Sequence, residues 1–104
     1  KSFKTVISCE CLEHDKDWQK TFQKMYDLSS GLVVMSCATI GRPEHGTSRT
    51  NADAAPFTND YYQNLAISDF TDVFNFHDMF KDFCFAVNSV SQIYGQNVSR
   101  TGLR

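Results

Sequence analysis

Two histidines stand in settings where they could do chemistry. His14 closes the string CECLEH, with Cys9, Glu10 and Cys11 just before it and Glu13 beside it. His45 lies in GRPEHGT with Arg42 and Glu44. An imidazole with an ordinary pKa of about 6.5 suits a general base near neutral pH. Arg42 can fork onto a carboxylate or phosphate, and His45 can take a proton from an acceptor hydroxyl or amine, so this second group reads as a substrate clamp. Tyr61 and Tyr62 follow in DYYQNL and point in different directions, one suited to packing and the other to lining a pocket. The four cysteines, Cys9, Cys11, Cys37 and Cys84, form no CxxC pair and are expected to be free thiols. Cys11, His14 and either Cys37 or His45 could be written as zinc ligands, but a second paired half is missing. Asp15 and Asp17 beside Glu13 are expected to serve the helix start instead of a cation. No metal is therefore expected.

These residues need elements to hold them. Phe3 to Ser8, FKTVIS, is a β-branched and aromatic run that reads as a buried strand. Asp15 or Asp17 can cap the next helix, in which Trp18, Phe22, Met25 and Tyr26 share one face and Lys16, Gln19, Lys20, Gln23 and Lys24 the other. Leu28 and Ser29-Ser30-Gly31 end it, with Gly31 suited to a left-handed closing residue. Leu32 to Ala38, LVVMSCA, reads as a second strand buried on both faces. Strand, helix and strand within about forty residues define a parallel βαβ unit with a right-handed crossover, so the fold class is α/β.

Between Thr39 and Leu65 the chain is polar and rich in turn residues. So long a connection is usually functional or disordered, and this one leaves the carboxyl edge of a parallel sheet, where such sheets bind ligands. Gly41 and Gly46 mark its bends. Ser68 can cap a further helix through Phe70, Val73 and Phe74, and Asn75-Phe76-His77 splits that segment into two short pieces. Cys84 to Val90 and Gln92 to Val98 read as an antiparallel hairpin turning around Asn88 to Ser91. The tail from Ser99 to Arg104 is expected to fray.

The chain has 104 residues, 41% hydrophobic and 13% aromatic, which suits one domain with a real core. Its net charge of -2 and scattered basic residues argue against a nucleic-acid partner. No stretch approaches the roughly 20 apolar residues of a membrane span, and no signal peptide is legible. A soluble, cytoplasmic protein is expected.

The order strand, ECLEHD, helix, strand, long loop, helix, hairpin resembles the carboxyl-terminal half of a class I S-adenosylmethionine-dependent methyltransferase. VISCECLEHD is similar to that family's fourth strand and EH signature, and SSGLVVMSCA to the turn into its fifth. GRPEHGT, DYYQNL and SDF resemble strings of a bacterial subgroup. The resemblance covers nearly the whole chain. It implies a partial Rossmann-like sheet, parallel except for a final antiparallel strand that the hairpin would supply. It further implies that Cys9 and Glu10 lie beside the methionine part of the cofactor. His14 and His45 would be the catalytic candidates, and Arg42, Glu44, Tyr61 and Tyr62 would receive a small-molecule methyl acceptor.

The family's glycine-rich cofactor loop has no counterpart, since no GxGxG occurs. Residues 1–104 are thus expected to form one partial domain, inactive alone. It would require an upstream half or pair with itself through the exposed edge of its first strand. Two other classes compete: a noncatalytic interaction module that self-associates through that edge, and a small metal or thiol-redox protein using Cys9, Cys11 and His14.

Overall fold

The computed structural model describes residues 2–50 and 58–97. Lys1, the predicted strand end at Val98 and the tail 99–104 expected to fray lie outside the described residues, as does the middle of the long loop, 51–57.

The elements follow in the order β1 (Phe3–Cys9), a 3-10 turn (Leu12–His14), α1 (Trp18–Leu28), β2 (Ser29–Ala38), α2 (Ile67–Val73), α3 (Phe76–Met79), β3 (Phe83–Val87) and β4 (Gln92–Asn97). They form a mixed α/β domain around one four-stranded sheet of order β1-β2-β4-β3. β1 and β2 are parallel, with Val6 opposite Val33, and α1 makes the crossover. β4 runs antiparallel to both β2 and β3. No described helix is long and apolar enough to cross a membrane.

The helix pattern read from sequence is the one observed. Trp18, Phe22 and Met25 of α1 are buried, and they meet Val33, Met35 and Cys37 of β2 with Phe70, Phe76 and Ile93 in one core. The Asp15 carboxylate accepts the Asp17 N–H at 2.8 Å just ahead of the first turn, and also the Thr21 hydroxyl. Asp15 thus braces the helix start. Phe22 lies 5.4 Å from Phe70 and 5.0 Å from Phe74, ring centre to ring centre, within the range of favourable aromatic pairs.

Four sequence expectations are corrected. β1 is not buried: Ile7 is 61% exposed and Phe3 48%. The helices cover only the sheet face that carries Val6, Val33, Met35, Cys37 and Ile93, and the alternate residues Ile7, Val34 and Tyr94 fall on the other face. β2 is consequently buried on one face and half-buried on the other. An unbroken apolar run cannot tell these cases apart, because it records the environment a strand suits and not the layers present.

Gly31 does not close α1. The helix ends at Leu28, Ser29 is already extended, and β2 starts there. Gly31 sits inside the strand, where a Cβ would fall 2.9 Å from the Lys4 carbonyl oxygen, so its value is close approach of two backbones. A register shift between Phe3 and Thr5 accommodates that approach.

Ser68 lies within α2. Ala66 stands at the cap position, and the Asp69 carboxylate accepts its N–H at 2.7 Å. The acid three residues on satisfies a free N–H that the alanine side chain cannot reach.

Candidate functional site

Glu10 follows β1 directly, and its φ of 54° turns the chain off the sheet while its N–H donates to the Ser36 carbonyl at 2.8 Å. The turn Leu12–His14 follows, with Leu12 and Glu13 fully buried and His14 only 8% exposed. Leu12 enters the core and thereby pulls its two polar neighbours inward.

The long loop folds back over this corner. Gly41 and Gly46 hold φ values of 99° and 71° at its bends, as the sequence predicts. The Gln63 N–H donates to the Glu13 carbonyl, the Leu65 N–H to the Ala38 carbonyl, and the Asn64 side-chain amide to the Arg42 carbonyl at 3.0 Å. These bonds bring residues far apart in sequence to the carboxyl end of β1 and β2.

There His14 and His45 meet, their Nε2 atoms 3.3 Å apart. Tyr62 packs its ring against both, with centroid distances of 5.4 and 4.8 Å. Its hydroxyl donates to Asn64 Oδ1 at 2.5 Å. Tyr61 contributes its backbone, the carbonyl oxygen facing His14 Nδ1 at 3.3 Å, while its hydroxyl donates to Gln63. Glu13 completes the group, with Oε2 3.8 Å from His45 Nε2.

The remaining predicted residues lie around this centre. Arg42 faces Glu10 at 3.6 Å and the Val90 carbonyl at 3.4 Å, tying the loop to the strand end. Glu44 is engaged inside the loop, accepting from Thr47 at 2.6 Å and Arg49 at 2.8 Å. Those bonds hold its carboxyl below the usual range. Cys9 is exposed on β1, and Cys11 donates its thiol to the Cys9 carbonyl. Cys37 is buried within the core and takes no part in a zinc set with Cys11. An open depression of about 340 Å³, lined in part by His14, Asp15 and Tyr61, adjoins the corner.

Sequence reasoning passed over Glu13. Its only signal was its place between Leu12 and His14, since an apolar residue anchoring a tight turn carries its neighbours inward. Burial raises the Glu13 carboxyl above its ordinary range, opposed in part by the nearby backbone of Glu13 and Ala38 and by His45. Burial likewise lowers the His14 imidazole, which the Tyr61 carbonyl partly counters. Both shifts favour neutral side chains.

Burial also pushes the Cys37 thiol and the Tyr62 phenol up to about 12, and neighbouring Glu13 adds to each. Both groups hold their protons more tightly folded than unfolded. Their contribution is therefore complete below about pH 9 and is lost as pH rises through about 9 to 12. The urea midpoint should fall over that window, and a flat profile would contradict the burial assigned to both. Thiol titration of the native chain should find Cys9, Cys11 and Cys84 reactive and Cys37 protected until denaturant is added.

Compared with models of known protein families, with curated proteins and with solved structures, the chain matches none.

Proposed function

We propose that the chain is the carboxyl-terminal half of an S-adenosylmethionine-dependent methyltransferase domain whose parent methylates a small-molecule acceptor. The observation that carries the reading is convergence. Three strings underlie the resemblance, ECLEH, GRPEHGT and DYYQNL, and all three contribute to one cluster, through His14, His45 and Tyr62. That cluster occupies the carboxyl end of two parallel strands, the edge at which open α/β sheets bind ligands. Strand direction agrees as well: β1, β2 and β3 run one way, and β4 alone runs the other.

When bound, the cofactor supplies an electrophilic methyl group. The resemblance sets the corner at Cys9 and Glu10 beside it, and the sequence has no GxGxG with which to cradle a nucleotide. The chain's own part is on the acceptor side. An unprotonated Nε2 of His14 or His45 can hold the proton that an acceptor hydroxyl or amine gives up, and the Tyr62 ring limits the orientation of both imidazoles. Arg42, fixed by Glu10, sets the position of the loop above the corner.

Calorimetry tests the assignment. The 104-residue chain alone should show no saturable S-adenosylmethionine binding, and the coding sequence immediately upstream of Lys1 should continue in frame with a strand followed by GxGxG. Stoichiometric binding by the chain alone, or an upstream sequence without that motif, would overturn the half-domain reading.

The uncovered β1 favours a second reading, a noncatalytic module that self-associates through this strand. Among the described residues β1 pairs with one strand only, and Ile7 stands 61% exposed. Light scattering after size exclusion should give a mass above one chain, and Ile7→Lys should shift it towards the monomer. A monomeric parent chain would remove this reading.

A further inference from the structure

The two central imidazoles are oriented in a way that a pair of neutral rings does not favour. His14 Nδ1 faces the Tyr61 carbonyl oxygen at 3.3 Å, and His45 Nδ1 faces the Pro43 carbonyl oxygen at 3.2 Å. A carbonyl oxygen can only accept, so both contacts are hydrogen bonds only when each ring carries its hydrogen on Nδ1. Both Nε2 atoms then present lone pairs, and they face each other at 3.3 Å. Two lone pairs so placed repel unless a cation lies between them. Next to them is Glu13, fully buried, with neither carboxylate oxygen meeting a hydrogen-bond donor. A buried carboxylate without partners is costly, and a cation would remove that cost.

We infer that Glu13, His14 and His45 form a binding site for a divalent transition-metal ion of the zinc type. The donor set, two neutral imidazoles and one carboxylate, is that of three-ligand zinc sites, which leave a fourth position open. Size agrees. Nitrogens bound at 2.0–2.1 Å around a tetrahedral ion lie about 3.3–3.4 Å apart, which matches the Nε2 separation. The three ligand atoms lie within 4.8 Å of one another, so the carboxylate must approach by roughly 1–1.5 Å, and no hydrogen bond restrains it.

The outer shell fits too. Backbone carbonyls accepting from both Nδ1–H groups are the usual means of fixing a metal-binding histidine in the right tautomer. A proton shared between the rings is the competing occupant. It would place an imidazolium at His14, only 8% exposed, or at His45, whose Nε2 lies 3.8 Å from Glu13 Oε2, at the outer limit of an ion pair. The inference does not rest on the methyl-transfer reading, which S-adenosylmethionine binding and the upstream sequence test separately, but an Nε2 bound to the ion cannot also take the acceptor's proton.

The test is titration of Zn2+ into the chelator-stripped 104-residue chain, followed by calorimetry. One ion per chain is expected. His45→Ala should weaken binding by more than about 100-fold and Glu13→Gln by at least about 10-fold, whereas Cys11→Ser and His77→Ala should leave it unchanged. The parent chain loaded with Co2+ gives a readout that does not depend on any variant folding. It should show visible bands of tetrahedral intensity and no thiolate-to-metal charge-transfer band. Absence of saturable Zn2+ binding, a thiolate band, or binding lost in Cys11→Ser but kept in His45→Ala would overturn the site.

Discussion

Replacing Phe70 by alanine should lower the stability of the fold by about 3–5 kcal/mol. Phe70 is fully buried, and its ring centre lies 4.6 Å from that of Trp18, 5.4 Å from Phe22 and 6.1 Å from Phe85. It joins α2 to α1 and to β3, so its removal opens a cavity where three elements meet. Phe22 and Phe76 are held in a wider aromatic network and can close that space only in part. A domain of this size has a total stability on the order of 5–15 kcal/mol, so the loss is a large share of it. At one fixed protein concentration the thermal midpoint should fall by roughly 12 °C or more. A midpoint within about 3 °C of the parent would show that α2 does not seal the core.

Asn97→Ala should cost about 2–4 kcal/mol through a different cause. Asn97 is buried at the end of β4, where Oδ1 accepts the Val33 N–H at 2.5 Å and Nδ2 donates to the Gly31 carbonyl at 2.7 Å. One side chain thereby satisfies two buried backbone groups of β2 at the point where that strand is irregular. Alanine leaves both without a partner, and each carries a desolvation penalty. The result should be local as well as global: amide exchange at Val33 should accelerate well beyond that at Cys37 on the same strand. Equal acceleration at both positions would indicate simple global destabilisation, and unchanged protection of Val33 would refute the bond.

Much of the architecture was legible because a single physical signal governed each element. The spacing of Trp18, Phe22 and Met25 could serve only one buried helix face, and the length of the chain between the two apolar strands left room for a crossover. The hairpin was readable from Asn88 to Ser91, where Ser91 indeed adopts a φ of 55°. What escaped depended on partners distant in sequence. The value of Gly31 lies in the carbonyl of Lys4, which no local pattern reveals. The exposure of Ile7 depends on a layer being absent from one sheet face, while its residue type suits burial equally well.

The site divides in the same way. Residue type and position in the chain brought forward His14, His45 and Tyr62, and these three do share one centre. Their mutual geometry rests on backbone bonds from Gln63, Asn64 and Leu65, which composition does not disclose. Arg42 and Glu44 read as parts of a substrate clamp, yet each side chain is engaged by another residue of the chain, Glu10 and Arg49. Glu13 read as a residue of the helix approach. Its burial follows from Leu12, and only the fold makes that connection.

Nitrogen-detected NMR of the three histidine rings in the metal-free chain tests most directly whether the loop closes on the corner. His45→Ala should displace the His14 ring signals while leaving those of His77 in place. His14 signals unmoved by that substitution would contradict the convergence on which the functional reading stands.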